Sequence, residues 1–583
     1  LAESIHQRAE REVQAGRVDA AIQAVRLHLK IRPKDLQAQN LLGELLSTAG
    51  QFDLAAQHYA RLVQSHPDSG LLRYNLANAL IDCRRVKEGI VELERLRRDE
   101  PNNVAPHLAL AIAYVEVDET AKAIEAGRRA IELEPTLAAA AGNLSYAYGR
   151  AGMNEEAWRV AKAGVDANPS EPKLRSMMLL AMNYLDLAPE ELAQAHRDYG
   201  RMVGPPVRPA CTDPDPERPI RVGLLSGDMR DHSVAFFTEP FLRHPDPRVS
   251  FEIFSNCAPG AHDATTQRLR GLVSAWHDCG HMPHPAIDAL IRSRGIDILI
   301  ELGGHSGEPR VLALIEKPAP VVMTAIGYPN TTGVPAIDWR VVDTVTDPPG
   351  SDRFCTERLL RIDPCFLCYT PPVEAPSPEM PDMEQPITFG SFNNASKIGP
   401  RSVALWSRVL QAVPESRLLM KAQSLKDSTG RKLIVERFAA AGIPESRLEL
   451  IAYTKTREEH LQLYNRVHVA LDTVPYNGTT TTCEALWMGV PVVTTLGDRH
   501  AARVSASLLH AAGHPELVAE SDAAFVDLAA NLARDRGRVA ALRANLRTEL
   551  TTSPLLDAPA YAARLHAALR ACWREWCAKQ RAA

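Results

Sequence analysis

Leu471-Asp472-Thr473-Val474-Pro475-Tyr476-Asn477-Gly478-Thr479-Thr480-Thr481-Thr482-Cys483-Glu484-Ala485-Leu486-Trp487-Met488-Gly489 is the stretch on which the fold turns. The apolar run 467–472 reads as a strand, a glycine-containing loop follows, and four threonines open a helix expected over 480–488. Threonine is a favoured N-cap. Free N–H groups and the helix dipole make such a terminus an anion site. The hydroxyls add donors. Glu484, about one turn in, could accept bonds from ribose hydroxyls. A capped helix with a spare carboxylate is the plainer alternative. Four threonines exceed what capping requires, so a nucleotide diphosphate is the expected occupant.

A second stretch has the same form. Gly390-Ser391-Phe392-Asn393-Asn394-Ala395-Ser396-Lys397-Ile398-Gly399-Pro400 reads as a strand, a loop and a helix start. Lys397 could neutralise a leaving phosphate. A solvated lysine is the alternative, and two such loops in one lobe weigh against it.

Strands expected at 387–392, 417–421, 448–453, 467–472 and 492–495 alternate with helices around 401–413, 430–441, 456–466, 480–488 and 500–512. Upstream, apolar runs at 221–226, 251–254, 296–302 and 321–326 repeat the pattern, with a helix around 284–294. Such alternation argues for parallel α/β sheets. Proline-rich breaks at 204–219 and 371–386 bound the first stretch. Two Rossmann-like lobes joined by a linker form a cleft, and ligands bind beyond the carboxyl ends of the strands. The last segment, with Tyr561, Leu565, Leu569, Trp573 and Trp576, reads as a helix packed on a lobe.

The N-terminal third follows another rule. Pro33, Pro67, Pro101, Pro135 and Pro169 recur every 34 residues. Ala9, Gly43, Ala77, Ala111 and Ser145 keep one phase; Ala21, Ala55, Gly89, Ala123 and Ala157 keep another. The pattern predicts paired amphipathic helices that cross closely at the small residues. Proline ends each second helix, because it lacks an N–H and clashes with the preceding turn. The unit resembles the tetratricopeptide repeat. Stacked units form a superhelix with a concave face. A spacer or dimer surface is one reading of this arm, and a groove for a protein or peptide partner is the favoured one. Asn75, Asn78 and Asn143 fall on first helices, where their amides could hold an extended backbone. The expected organisation is an α-solenoid over 1–205, Rossmann-like lobes over 206–385 and 386–555, and a closing helix over 556–583.

Composition narrows the function classes. The 583 residues are 45% apolar and 23% charged, with a net charge of -5. No basic field suggests a nucleic-acid partner. No apolar run approaches the roughly 20 residues needed to cross a bilayer. The Leu1–Ser4 start has no leader character and no Met, so the true N-terminus is expected to lie upstream. Ten scattered cysteines fit a reducing, cytoplasmic setting. Cys365 and Cys368 lack a second pair, which favours incidental thiols over zinc.

Taken with the repeats, the two loops resemble those of the O-linked N-acetylglucosamine transferases of glycosyltransferase family 41, in the manner of a bacterial member. The motifs are Phe392-Asn393…Lys397-Ile398 and Leu471-Asp472-Thr473…Asn477-Gly478, with Thr480-Thr481, Leu486-Trp487 and Gly489 after them. Arg503-Val504, Ser507, Ile326-Gly327-Tyr328-Pro329 and Thr332-Gly333 also fit. The resemblance implies a GT-B fold and an inverting, metal-independent transfer from UDP-GlcNAc to protein Ser or Thr hydroxyls, with no cofactor. No Asp-x-Asp triplet at a strand end suggests a metal.

The resemblance also implies roles. Lys397 would meet the diphosphate and support the leaving UDP. Thr480 and Thr481 would bind phosphate oxygens, Glu484 the ribose, and His460 the uracil. Asn394 would lie near the diphosphate, and Pro329 and Thr331 beside the sugar. His232 would reach the acceptor side of the cleft, either as the base or as an orienting group. His305 is either a neighbour of the site or an incidental loop histidine. Thr479, counted in the donor site, stands where the animal enzyme has a histidine, and Ser396 where it has a tyrosine. A near relative in plants uses GDP-fucose, so a glucose or fucose donor, another acceptor, and a nucleotide-binding scaffold without transfer are the alternatives.

Overall fold

The structure, a computed structural model, describes residues 4–14, 17–257, 261–280, 282–307 and 310–582. Of the Leu1–Ser4 start, only Ser4 lies within the described residues.

Helices pair from Ile5 to Val203, as in Leu36–Thr48 with Phe52–Ser65 and Gly70–Asp82 with Val86–Asp99. The 34-residue period has a local cause. Asp35, Ser69 and Asn103, two residues after successive prolines, cap first helices by accepting from Ala38 N, Leu72 N and Ala105 N. The proline carbonyls take side-chain bonds from six residues on: Gln39 to Pro33, Arg73 to Pro67 and Arg175 to Pro169. Small residues mark the crossings, since a Cβ on Gly43 would lie 2.3 Å from Tyr59 Cζ.

Two parallel sheets follow. The first holds β1 (Ile220–Ser226), β2 (Val249–Ser255), β3 (Ala275–Asp278), β4 (Ile298–Glu301), β5 (Val321–Thr324), β6 (Trp339–Val342) and β7 (Arg358–Arg361), in the order 3-2-1-4-5-6-7. The second holds β8 (Thr388–Ser391), β9 (Arg417–Lys421), β10 (Leu448–Ile451), β11 (Val469–Leu471), β12 (Val492–Thr495) and β13 (Val518–Ala519), in the order 10-9-8-11-12-13. In each sheet the order reverses beside the first strand, between β1 and β4 and between β8 and β11. That reversal opens a crevice at the carboxyl ends. Strands β3, β6, β7 and β13 gave no signal in the sequence. β3 and β7 are short edges rich in polar residues, and β6 carries Arg340, whose buried charge is met by Asp347 at 3.3 Å.

One apolar core runs through both lobes and the helix Ala558–Ala582. That helix lies against the first lobe, where Tyr561 Oη donates to Phe366 O and Trp573 Nε1 to Asp215 O. The lobes are also pinned by a buried pair, His500 Nδ1 to Asp347 Oδ2 at 2.5 Å.

The arm touches both lobes. Leu179, Met182, Leu192 and Tyr199 share a core with Leu225, Phe254 and Leu299 of the first sheet. Gly200 and Gly333 approach so closely that a Cβ on Gly200 would lie 2.1 Å from Gly333 O. His305 belongs to this seam, held between Ser176 Oγ at 2.5 Å and Thr332 O at 2.7 Å, and burial pushes its imidazole down to about 3. Earlier repeats reach the second lobe, where Lys426 bonds Asp118 at 3.0 Å.

Candidate active site

The second sheet's crevice gathers most of the residues singled out in the sequence. Lys397 ends a short turn, Ala395–Lys397, just past β8. The helix Thr480–Trp487 begins just past β11. The two elements meet where Lys397 Nζ donates to Asn477 O at 2.7 Å, three residues before that helix. The same ammonium lies 4.0 Å from the centroid of the Tyr476 ring. Burial pushes Lys397 down to about 8, against the pull of Asp472.

Asp472 builds the loop. One carboxylate oxygen accepts from Thr473 N at 2.8 Å and Gly478 N at 2.7 Å, the other from Thr494 Oγ1 at 2.6 Å. Gly478 has a steric reason: a Cβ there would lie 2.5 Å from Thr482 Oγ1 and 2.8 Å from Thr481 Oγ1.

The threonines divide their work. Thr479 stands at the cap position but makes no side-chain cap bond, so this helix start is open. Thr481 Oγ1 donates to Asn393 Oδ1 at 2.8 Å, and Thr482 Oγ1 bonds Ser505 Oγ at 2.9 Å. Thr480 Oγ1 is buried without a partner, as are Asn477 Oδ1 and His460 Nδ1. A buried polar atom left unpaired costs about 1–3 kcal/mol. Of these, the Thr480 hydroxyl stands at the open helix start and can donate, so it suits an anionic ligand there.

Farther along, His460 Nε2 lies 3.1 Å from Glu484 Oε2, and its ring packs against Phe392 and Tyr464. Lys421, at the end of β9, is held below its ordinary pKa by burial, which Glu484 opposes. Asn394 is exposed and caps its own turn through Ser396 N at 3.1 Å, so Asn393 is the asparagine that faces Thr481. Asn393 and Asp472 stand in the sequence motifs without a role of their own, and nothing in the sequence marks Lys421.

The first lobe supplies the other wall. Arg457 reaches across to Asp231 at 3.1 Å and lies over the Phe236 ring at 4.2 Å. His232 caps the helix Ser233–Leu242, its Nδ1 accepting from Val234 N at 3.3 Å, with Asp228 Oδ1 at 3.7 Å. Desolvation lowers its pKa and Asp228 opposes the shift, which favours the neutral ring. Two tautomers fit these contacts. One keeps the long cap bond and carries its proton on Nε2. The other turns Nδ1–H toward Asp228 and offers Nε2 as a base. Glu301, at the end of β4, accepts from Gly303 N at 2.5 Å, and burial pushes its carboxyl up to about 7. Pro329 is buried between Tyr328, which bonds Asn183 and His196 of the arm, and Asn330, whose amide bonds Asn183.

The groove asparagines are partly engaged within the arm. Asn75 Nδ2 donates to Asn40 Oδ1 at 2.8 Å, and Asn143 Nδ2 to Leu108 O at 3.0 Å, while Asn78 is half-buried. Asn40 lines a cavity of about 500 Å³ with His6, Leu36, Gln37 and Leu71. Among the described residues, no cluster of three or more His, Cys, Asp or Glu side chains could hold a metal, and no helix is long and apolar enough to cross a membrane.

Comparison with known proteins adds a family. The profile described as Glycosyl transferase family 41 matches residues 209–368 and 379–565. Tetratricopeptide-repeat profiles match 6–70 and 46–113. A protein of Arabidopsis thaliana named "Probable UDP-N-acetylglucosamine--peptide N-acetylglucosaminyltransferase SPINDLY" is 38% identical over 411 residues, which is 68% of this chain and 45% of that protein. The Caenorhabditis elegans "UDP-N-acetylglucosamine--peptide N-acetylglucosaminyltransferase" is 24% identical over 477 residues, 61% of this chain and 41% of that protein. The match thus spans less than half the length of these curated relatives. A solved structure of a lysine-to-methionine mutant of Thermobaculum terrenum O-GlcNAc transferase is similar at 34% identity with a TM-score of 0.83, covering 88% of this chain and 98% of that one.

Proposed function

Because this chain belongs to glycosyltransferase family 41, we propose that it moves N-acetylglucosamine from UDP-GlcNAc to Ser or Thr hydroxyls of a protein held by the helical arm. The observation that carries the reading is the meeting of Lys397 with an open helix start at the crevice between β8 and β11. Relatives named for this reaction support the donor and acceptor classes.

The diphosphate would lie at Thr480 and Thr481, its charge met by Lys397 and the helix dipole. Thr479 and Asn394 would border it. That pairing can stand in for a metal, so transfer is metal-independent in this account. Glu484 would accept from the ribose, and His460 would lie against the base. Pro329 and Thr331 would flank the sugar from the first lobe. His232, with Nδ1–H turned to Asp228, would take the acceptor proton through Nε2 as the hydroxyl oxygen bonds the anomeric carbon. The C–O bond to the β-phosphate breaks on the opposite face, which inverts the centre, and UDP leaves against Lys397. Asn75, Asn78 and Asn143 would hold the acceptor's backbone in the groove.

Calorimetric titration of the full chain with UDP, GDP and dTDP tests the donor class. UDP is expected to bind at least about tenfold more tightly than GDP, a difference of ~1.4 kcal/mol. Tighter binding of GDP would move the donor to a guanosine diphosphate sugar. No binding of any nucleotide diphosphate would remove the donor site.

A further inference from the structure

The arm holds the neighbours of Lys397 at two places. The first contact holds the turn that carries Lys397. Asn154, buried at the start of the helix Asn154–Ala167, donates through Nδ2 to Ser396 O at 2.5 Å. Ser396 Oγ in return donates to Gly149 O at 2.7 Å. Gly152, with φ +77°, lies so close that a Cβ would meet Ala395 O at 3.2 Å. Arg437 ties the two pieces together, donating to Ile398 O at 3.1 Å and to Gly152 O at 3.2 Å. The backbone on both sides of Lys397 is therefore clamped to the arm.

The second contact holds the ring under its ammonium. Tyr184, in the turn just after the helix Pro172–Met182, stacks on Tyr476 with centroids 5.2 Å apart and planes 23° apart. Tyr476 is the ring that lies 4.0 Å from Lys397 Nζ. The loop bearing Tyr184 is fixed to the second lobe. Arg499 donates to Leu185 O and Leu187 O at 2.5 and 2.6 Å, and Asp186 pairs with Arg401 at 3.0 Å.

We propose that Tyr184 and Asn154 of the helical arm are positioning residues for Lys397, so that the arm completes the donor site. A lysine side chain has four rotatable bonds and loses much entropy when fixed. Clamping the turn from below and bracing Tyr476 from the side pre-organises the ammonium, and preorganised charge is what stabilises a developing anion. The inference rests on the reading that Lys397 meets the donor diphosphate. It assigns the arm a part in sugar-nucleotide chemistry that needs no acceptor.

The test uses slow hydrolysis of UDP-GlcNAc by water in the full chain, measured beside the UDP dissociation constant and the melting temperature. Tyr184→Ala is expected to lower kcat for hydrolysis about three- to tenfold, the range of an aromatic pair with its cation contact. KM should change less, because charge on the leaving phosphate grows in the transition state. Tyr184→Phe keeps the stack and should restore kcat. Asn154→Ala should lower kcat in the same way. Wild-type kcat in Tyr184→Ala and Asn154→Ala would overturn the inference, as would a loss that Tyr184→Phe does not rescue and that follows the melting temperature. A loss of protein transfer with hydrolysis intact would also overturn it, since the arm would then act only through the acceptor. A wild-type chain that neither binds UDP nor hydrolyses UDP-GlcNAc would defeat the donor-site reading itself, and this inference with it.

Discussion

Replacing Lys397 by alanine should remove about 2–4 kcal/mol of transition-state stabilisation, the usual effect of losing a positioned charge partner. In rate terms that is roughly 30- to 1,000-fold. The reason lies in its surroundings. The ammonium is bonded to Asn477 O, three residues before a helix start that no side chain caps. Steady-state donor turnover without acceptor is the measurement. A wild-type rate in Lys397→Ala would show that something else neutralises the leaving phosphate.

The same residue gives the pH dependence a sign. Lysine is charged below its pKa, and burial lowers Lys397 to about 8. The unliganded chain therefore loses the charge as pH rises through about 8, and kcat/KM for the donor should fall there. Lys397→Arg keeps its charge at that pH and should lose this limb even where it turns over slowly. His232 works in the opposite sense. Its pKa is held down, so the neutral base form persists to lower pH than for an ordinary histidine.

Glu484→Ala is expected to weaken UDP binding by about 1.5–3 kcal/mol, as loss of a hydrogen bond to a charged acceptor does. That is roughly a 10- to 150-fold rise in Kd by calorimetry. The carboxylate is buried and its Oε2 already holds His460, so Glu484→Gln is the gentler companion variant. Deoxy-UDP sharpens the assignment. Removing the 2′-hydroxyl should weaken the wild type more than Glu484→Ala, because the variant has already lost the acceptor. Equal affinity of wild type and Glu484→Ala for UDP would take Glu484 out of the site.

The repeats were open to reading because their physics is periodic. Prolines and small residues at fixed phase mark helix ends and crossings before any contact is known. The strands that form the crevice were equally plain, since β1, β8, β9, β11 and β12 are apolar runs followed by unusual loops. What the sequence hid was tertiary. That the arm packs on the first lobe follows from its short proline-rich connection, but not which of its residues enter the first sheet's core. His305 read as a possible cleft neighbour, yet it is sealed between Ser176 and Thr332. Asn393 and Asn394 are adjacent and alike, and only the turn geometry decides which one faces Thr481. Tyr184 and Asn154 gave no signal at all, because their partners lie more than 200 positions away in the chain.

If Lys397 and the helix start neutralise the donor diphosphate, no metal is needed at the site. The most direct test is release of UDP from UDP-GlcNAc by the full chain in excess EDTA, with Lys397→Ala run beside it. Release is expected to continue undiminished in EDTA and to fall sharply in the variant. Strict dependence on added Mn²⁺ or Mg²⁺, or release unaffected by Lys397→Ala, would contradict it.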